Sequence, residues 1–227
     1  MHEQKEESNG VGTPNFESIY HGKAPWDIGH PQKEYIQLEQ AGEIVGSVLD
    51  VGCGTGENAL YLAEQGHDVW GIDFAPAAIQ KAQESAAQRH LPVTFRVLNV
   101  LELRTLGRKF DTVIDSGLFH WLNIEERSLF IDNLAAVIRP RGTYFMLCCS
   151  ELTRNPDISK VKDFLPDFDK LTEGLPEFKD GAYHVTQAQI KELFQDGWHI
   201  NYIRQATLEA RLELGEFHGW LSSISKE

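Results

Sequence analysis

Between residues 48 and 73 the chain reads Val48-Leu49-Asp50-Val51-Gly52-Cys53-Gly54-Thr55-Gly56-Glu57, then a helix-like segment, then Val69-Trp70-Gly71-Ile72-Asp73. An apolar run ends in a glycine-rich turn, and the next apolar run ends in a carboxylate about twenty residues further on. This is the layout of a βαβ unit that holds a nucleoside at its first turn. Glycine at 52, 54 and 56 lets the backbone turn tightly and lets a ligand approach without meeting a Cβ. Asp73, at the tip of the second strand, is placed to accept hydrogen bonds from both hydroxyls of a ribose.

The glycine spacing chooses between ligands. A dinucleotide site wants Gly-x-Gly-x-x-Gly, with its third glycine where Glu57 stands. Here the third glycine, Gly56, comes one residue early, and Asp50 precedes the first by two. Asp50 and Glu57 beside the turn would repel a pyrophosphate but suit a cationic sulfonium bearing an ammonium group. This pattern resembles motif I of the class I S-adenosylmethionine-dependent methyltransferases. The alternative is a fold of the same kind that has lost its ligand.

A chain of 227 residues can bury a full core and suits one domain. No apolar run approaches the roughly twenty residues needed to cross a membrane, and the polar, acidic start is no signal peptide. Three cysteines argue against a disulfide framework and for a reducing compartment, so a cytoplasmic location is expected. The net charge of −13, with no cluster of Lys and Arg, makes nucleic acid a poor partner.

Residues 1–13 carry few apolar groups and read as a disordered tail, with the domain running from 14 to 227. Residues 14–42 form an N-terminal lid. Phe16, Ile19 and Tyr20 suit a short helix, an irregular Pro- and Gly-rich loop follows from Ala24 to Gln32, and a second helix runs over 32–40. The cofactor-binding core spans 45–150. Strands are expected at 48–51, 68–72, 93–98, 110–114 and 143–149, and helices at 57–65, 76–90 and from Asn123 to the Pro140-Arg141-Gly142 stop. Asn123 with Glu126, and later Thr186 with Gln189, have the spacing of capping boxes. Residues 151–183, with Pro156, Pro166 and Pro176, read as an acceptor-side insertion folded over the ligand face. Two terminal strands, near 198–205 and within 207–224, complete seven, in an order that local pattern leaves open. The fold class is α/β: a doubly wound, mostly parallel seven-stranded sheet with its ligand at the strand carboxyl ends.

The resemblance extends from about residue 45 to 150. Gly71-Ile72-Asp73-Phe74 looks like the family's second motif, which implies that Asp73 binds the ribose and Phe74 flanks the adenine. Asn99-Val100 stands where the family has an acid followed by a small or apolar residue. Asn99 departs from the acid, although its oxygen can still accept from the adenine amino group. Arg139-Pro140-Arg141-Gly142 looks like a structural turn of the family, with Arg141 replacing a glycine. Together with Asp115-Ser116-Gly117-Leu118-Phe119-His120, the stretch Pro25-Trp26-Asp27-Ile28-Gly29 is similar to a bacterial small-molecule subgroup that includes thiopurine, thiol and tellurite-resistance methyltransferases.

The resemblance implies that Asp50, Gly52, Gly54, Gly56, Asp73, Phe74, Asn99, Val100 and Asp115 bind S-adenosylmethionine. Trp26 either closes over the sulfonium, where cation–π attraction contributes roughly 0.5 to 2 kcal/mol, or is packed beneath the lid. Asp27 either binds the cofactor's amino group or caps the next segment. His120 is the expected catalytic residue, as a base or as an orienting group that lines the pocket. His184 either faces the acceptor or lies on the surface. Cys148 and Cys149 alternate faces, and no Cys or His pair has metal-ligand spacing, so no metal site is expected.

The expected activity is in-line methyl transfer to a small acceptor, a thiol or other soft nucleophile before an amine or hydroxyl, in a monomer or homodimer that touches neither nucleic acid nor membrane. The rivals are a catalytically silent cofactor-binding sensor or scaffold, a nicotinamide-dependent oxidoreductase, which Glu57 disfavours, and a lid that binds a partner.

Overall fold

The computed structural model describes residues 16–22, 24–151, 185–211 and 216–227. The expected tail therefore lies outside the described residues. So do His184 and, apart from Glu151, the expected insertion.

Alternating apolar strands and amphipathic helices build the sheet. Strands β1 (Ser47–Val51), β2 (Asp68–Asp73), β3 (Thr94–Val97), β4 (Phe110–Ser116) and β5 (Ile138–Cys149) run parallel. Strands β6 (Trp198–Glu209) and β7 (Glu216–Lys226) are antiparallel to each other, and β7 is antiparallel to β5. The order across the sheet is β3-β2-β1-β4-β5-β7-β6, so the last strand in the chain inserts between β5 and β6. This is the doubly wound, seven-stranded arrangement expected, and the structure supplies the order of the last two strands.

Two helices lie in the N-terminal segment, α1 (Phe16–Tyr20) and α2 (Lys33–Gln40). The others are α3 (Glu57–Glu64), α4 (Pro76–Arg89), α5 (Ile124–Val137) and α6 (Gln187–Leu193). Pro76 opens α4, where its missing N–H costs least. Asn123/Glu126 and Thr186/Gln189 both form reciprocal capping boxes, each satisfying orphan N–H groups at its helix start. Among the described residues no helix is long and apolar enough to cross a membrane.

Each face of the sheet has its own core. Leu49, Val113, Phe130, Tyr144 and Phe194 pack on the side of α5 and α6. Val48, Tyr35, Leu60, Ile79 and Ile114 pack on the side of α2, α3 and α4. Val48 and Leu49 fall in different cores because successive side chains of a strand point to opposite faces.

Two local features were not legible. Residues Val100–Leu106 and Phe119–Trp121 form 3-10 turns. Strand β5 also begins earlier than expected. Helix α5 stops at Val137, Ile138 is already extended and pairs with Phe110, and the register then shifts before Thr143 meets Thr112. Arg141, at φ 64°, makes the bulge, and Gly142 lies so close to the Asp111 carbonyl that a Cβ would sit 2.9 Å from it. The Pro-Arg-Gly stretch is thus a kink within a strand rather than a loop before one.

Candidate active site

The site forms where β1, β2 and β4 end together. After Val51 the chain turns through Gly52, Gly54 and Gly56, all at positive φ, and enters α3. Gly54 is required for a second reason: a Cβ there would lie 2.8 Å from the Tyr20 hydroxyl. The hairpin is thus bare backbone on its ligand side and closely covered by the lid.

Asp73 ties this hairpin to β2. Its Oδ2 accepts the Gly54 N–H at 3.0 Å and its Oδ1 accepts the Ala75 N–H at 2.9 Å. Burial raises its pKa, against the lowering effect of those backbone donors. A carboxylate has about four acceptor positions, so each oxygen retains capacity for a ribose hydroxyl.

Asp50 is different. It is 1% exposed, and neither carboxylate oxygen has a hydrogen-bond partner among the described residues. Burial first, then the charges of Asp115 and Asp73, push its pKa well up, with only the Ala59 backbone opposing. An unpartnered buried carboxylate is costly unless a cation or donor completes it. The residues present therefore fit a cationic nucleoside: a hairpin with little side chain on it, a carboxylate at the tip of β2, and a second buried carboxylate with no hydrogen-bond partner at close range among the described residues.

The other expected cofactor residues divide. Phe74 is 41% exposed at the tip of β2. Asn99 lies at the surface, but its Oδ1 accepts the Leu101 N–H at 3.0 Å and caps the 3-10 turn. Val100 is packed into the core with Leu103. Asp115 is turned inward and fully buried. Its oxygens accept from Leu118 N–H at 2.8 Å, Phe119 N–H at 3.1 Å and Tyr144 O–H at 2.8 Å. Burial raises its pKa to about 7 despite those donors. Asp115 thus shapes the turn that presents His120, and its geometry does not place it as a cofactor ligand.

The N-terminal segment lies over the hairpin. Trp26 Nε1 donates to the Tyr20 hydroxyl at 2.9 Å, and the Trp26 ring sits 6.2 Å from Tyr20 and 6.1 Å from Trp121. Asp27 accepts from the Thr55 hydroxyl at 2.9 Å, so it meets the glycine hairpin itself. Lys81 of α4 donates to the Tyr20 carbonyl at 2.6 Å, and Glu17 accepts the Ala77 N–H at 3.1 Å. At the lid's far end the Gln32 amide pairs with the backbone of Glu209 through two bonds of 2.9 Å. The contacts of Tyr20 with Gly54 and of Gln32 with Glu209 were not legible because these partners lie far away in the chain.

His120 follows the Asp115 turn. It is 6% exposed, its ring lies 5.7 Å from Trp121, and its Nδ1 accepts the Cys149 N–H at 3.3 Å. Cys149 is buried and its thiol is pushed up to about 12, so it offers no thiolate. Among the described residues no three His, Cys, Asp or Glu side chains gather to hold a metal ion.

This geometry can be set beside known proteins. The chain is 35% identical over 204 residues to the 2-heptyl-1-hydroxyquinolin-4(1H)-one methyltransferase of Mycobacteroides abscessus, spanning 86% of this chain and 81% of that one. The chain belongs to the class I S-adenosylmethionine-dependent methyltransferases. A family described as a methyltransferase domain matches the enzyme over residues 48–142, from β1 to the β5 kink. A solved structure from work on conversion of a disulfide bond into a thioacetal group during echinomycin biosynthesis superposes with a TM-score of 0.78. It is 33% identical and covers 93% of this methyltransferase and 91% of that chain. The magnesium protoporphyrin IX methyltransferase of Synechocystis, with bound SAH, shares the fold at a TM-score of 0.62 and 23% identity, over 86% and 80% of the two chains. The 35% identical relative is by name an enzyme, and a silent binding domain is not favoured.

Proposed function

We propose that this methyltransferase methylates a small, flat, largely apolar acceptor through an ionisable heteroatom, a ring hydroxyl before a thiol. The observation that carries the acceptor class is the run of ring contacts from Tyr20 through Trp26 and Trp121 to His120, which spans from the glycine hairpin to the end of β5. Aromatic walls favour stacking with a planar partner. The relative that acts on a hydroxyquinolone supports the hydroxyl, and the relative concerned with a disulfide and a thioacetal supports sulfur as the second reading.

S-adenosylmethionine, when bound, supplies an electrophilic methyl group. Gly52, Gly54 and Gly56 would leave room for it, Asp73 would accept from the ribose, Phe74 would flank the adenine, and Asp50 would meet the ammonium. Asn99 and Val100 would border the adenine rim. Trp26 and Tyr20 would exclude water above the hairpin. Holding the acceptor heteroatom roughly 3 Å from the methyl carbon, in line with the breaking bond, accounts for most of the rate. Asp115 acts indirectly, by fixing the turn that carries His120.

The test is transfer of radiolabelled methyl from S-adenosylmethionine to hydroxyquinolones, phenols, thiophenols, alkyl thiols and amines. Hydroxyquinolones should be methylated best. Transfer confined to alkyl amines would reject the proposal.

A further inference from the structure

We propose that the Tyr20 hydroxyl donates a hydrogen bond to the carboxylate at the amino-acid end of S-adenosylmethionine, so that the enzyme selects the intact cofactor over its decarboxylated form. This rests on the cofactor assignment and is independent of the acceptor class proposed above.

Tyr20 ends the short helix α1, which is fastened to α4 at both ends. Glu17 accepts the Ala77 N–H at 3.1 Å, and Lys81 Nζ donates to the carbonyls of Tyr20 at 2.6 Å and Gly22 at 3.3 Å. The ring is thereby set against the hairpin. Its hydroxyl lies 2.8 Å from where a Cβ on Gly54 would stand, and the residue is 4% exposed. The hydroxyl accepts from Trp26 Nε1 at 2.9 Å, its one hydrogen bond among the described residues. A phenol also has one O–H to give. With the indole donating to the oxygen, that proton is directed to another acceptor, and leaving it unsatisfied in a buried place is costly.

The cofactor carries two cations, the sulfonium and the ammonium, and one carboxylate. The side chains at the hairpin suit the cations: Asp27 meets Thr55, Asp73 meets Gly54, and Asp50 precedes the turn. These acids oppose the carboxylate, which is an acceptor only and needs donors. The hairpin's own donors are engaged. The Cys53 N–H bonds the Ile72 carbonyl at 2.9 Å, the Gly54 N–H bonds Asp73 at 3.0 Å, and the Gly56 N–H bonds the Cys53 carbonyl at 2.9 Å. The Thr55 hydroxyl donates to Asp27 at 2.9 Å, and the Lys81 ammonium is turned to the α1 carbonyls. Among these groups, Tyr20 O–H is the donor with a proton to offer.

Tyr20 also keeps that proton. Burial first, then the charge of Asp73, raises its pKa well above the ordinary value, with Cys53 and Asp27 adding to this and the Trp26 bond opposing. A ribose hydroxyl competes weakly for the same O–H, because it is neutral and can itself donate to Asp73, whereas a bond to a carboxylate is charge-assisted.

The experiment titrates the full chain calorimetrically with S-adenosylhomocysteine, with its decarboxylated analogue, which keeps the amino group, and with 5′-methylthioadenosine, which lacks the amino-acid end. The parent enzyme should bind S-adenosylhomocysteine at least about tenfold more tightly than the decarboxylated analogue. Tyr20→Phe keeps the ring over Gly54 and should cut that preference roughly tenfold or more. The preference is a ratio within one protein, so a general loosening caused by the Trp26 indole losing its acceptor cancels from it. The two ligands without a carboxylate should lose affinity by one common, smaller factor. Equal affinity of the parent enzyme for the intact and decarboxylated ligands overturns the proposal without recourse to any variant. A preference that survives in Tyr20→Phe overturns it as well, and so does an equal loss for all three ligands, which would put the hydroxyl on the ribose or leave it as roof alone. Binding of none of the three would remove the cofactor site itself. An acceptor screen that rejects hydroxyquinolones would leave these affinities unchanged.

Discussion

The Gly54 amide donates to Asp73 Oδ2 across 3.0 Å, joining the hairpin after β1 to the tip of β2. One carboxylate thus both braces the backbone that receives the cofactor and faces the proposed ribose position. Binding and stability are consequently linked at this residue.

Asp73→Ala should weaken S-adenosylhomocysteine binding by roughly 1.5 to 3 kcal/mol for a lost charge-assisted bond. It should also lower the melting temperature of the cofactor-free enzyme, because the Gly54 and Ala75 amides lose their acceptor. Asp73→Asn, which keeps one acceptor oxygen, should fall between. Calorimetric titration and thermal melts measure the two effects, and unchanged affinity in both variants would refute the ribose assignment.

Burial raises the pKa of Asp50, Asp73 and Asp115 in the folded protein. An acid with a raised folded pKa binds its proton more readily when folded. Its contribution is therefore favourable at low pH and declines as pH rises from the ordinary 3.8 toward the folded value, about 7 for Asp115. The difference between parent and Asp50→Asn isolates one group. Asp50→Asn should stabilise the cofactor-free enzyme more at about pH 8 than at about pH 5, and should weaken S-adenosylhomocysteine binding. A stability difference independent of pH would show that Asp50 does not titrate in this way.

Trp26 reaches Tyr20 through its indole N–H at 2.9 Å. Trp26→Phe keeps a ring and deletes that donor. Loss of one neutral hydrogen bond, about 0.5 to 1.5 kcal/mol, should speed S-adenosylhomocysteine release by roughly two- to tenfold. Stopped-flow tryptophan fluorescence, using the remaining tryptophans, would report it. Identical release rates would remove Trp26 from the roof of the site.

Gln32 completes β6 with a side chain, its amide giving and accepting one bond each with the Glu209 backbone at 2.9 Å. Its own N–H donates to Asn58 Oδ1 at 2.8 Å. Gln32→Ala should cost about 1 to 3 kcal/mol in urea unfolding and raise hydrogen exchange at Glu209. Exchange that stays as slow as in the parent enzyme would mean the amide pairing does not hold the strand end.

Much of this was legible locally. The period of apolar residues located the first four strands to within two residues and the body of β5 and β6, but only bracketed β7, which runs over Glu216–Lys226; the glycine hairpin, Asp73 and both capping boxes were read from neighbours in the chain. The β5 kink was missed because it shows only in the pairing with β4, where the register shifts between Phe110 and Thr112 and Gly142 comes close to the Asp111 carbonyl. Asp115 was expected at the cofactor because a carboxylate ending β4 reads the same whether it points out or in. Its inward orientation is held by the Leu118 and Phe119 amides together with Tyr144, twenty-nine residues away.

By itself the sequence determined the βαβ unit, the family and the placement of the ligand edge, since each depends on residue spacings shorter than one structural unit. Tertiary structure alone decided that β7 lies inside β6, that Asp50 is fully buried beside Asp73 and Asp115, that Tyr20 covers Gly54, and that His120 meets the Cys149 amide through Nδ1. These are contacts between segments distant in the chain. Side-chain direction, desolvation and tautomer arise only when strand ends and lid are brought together in space.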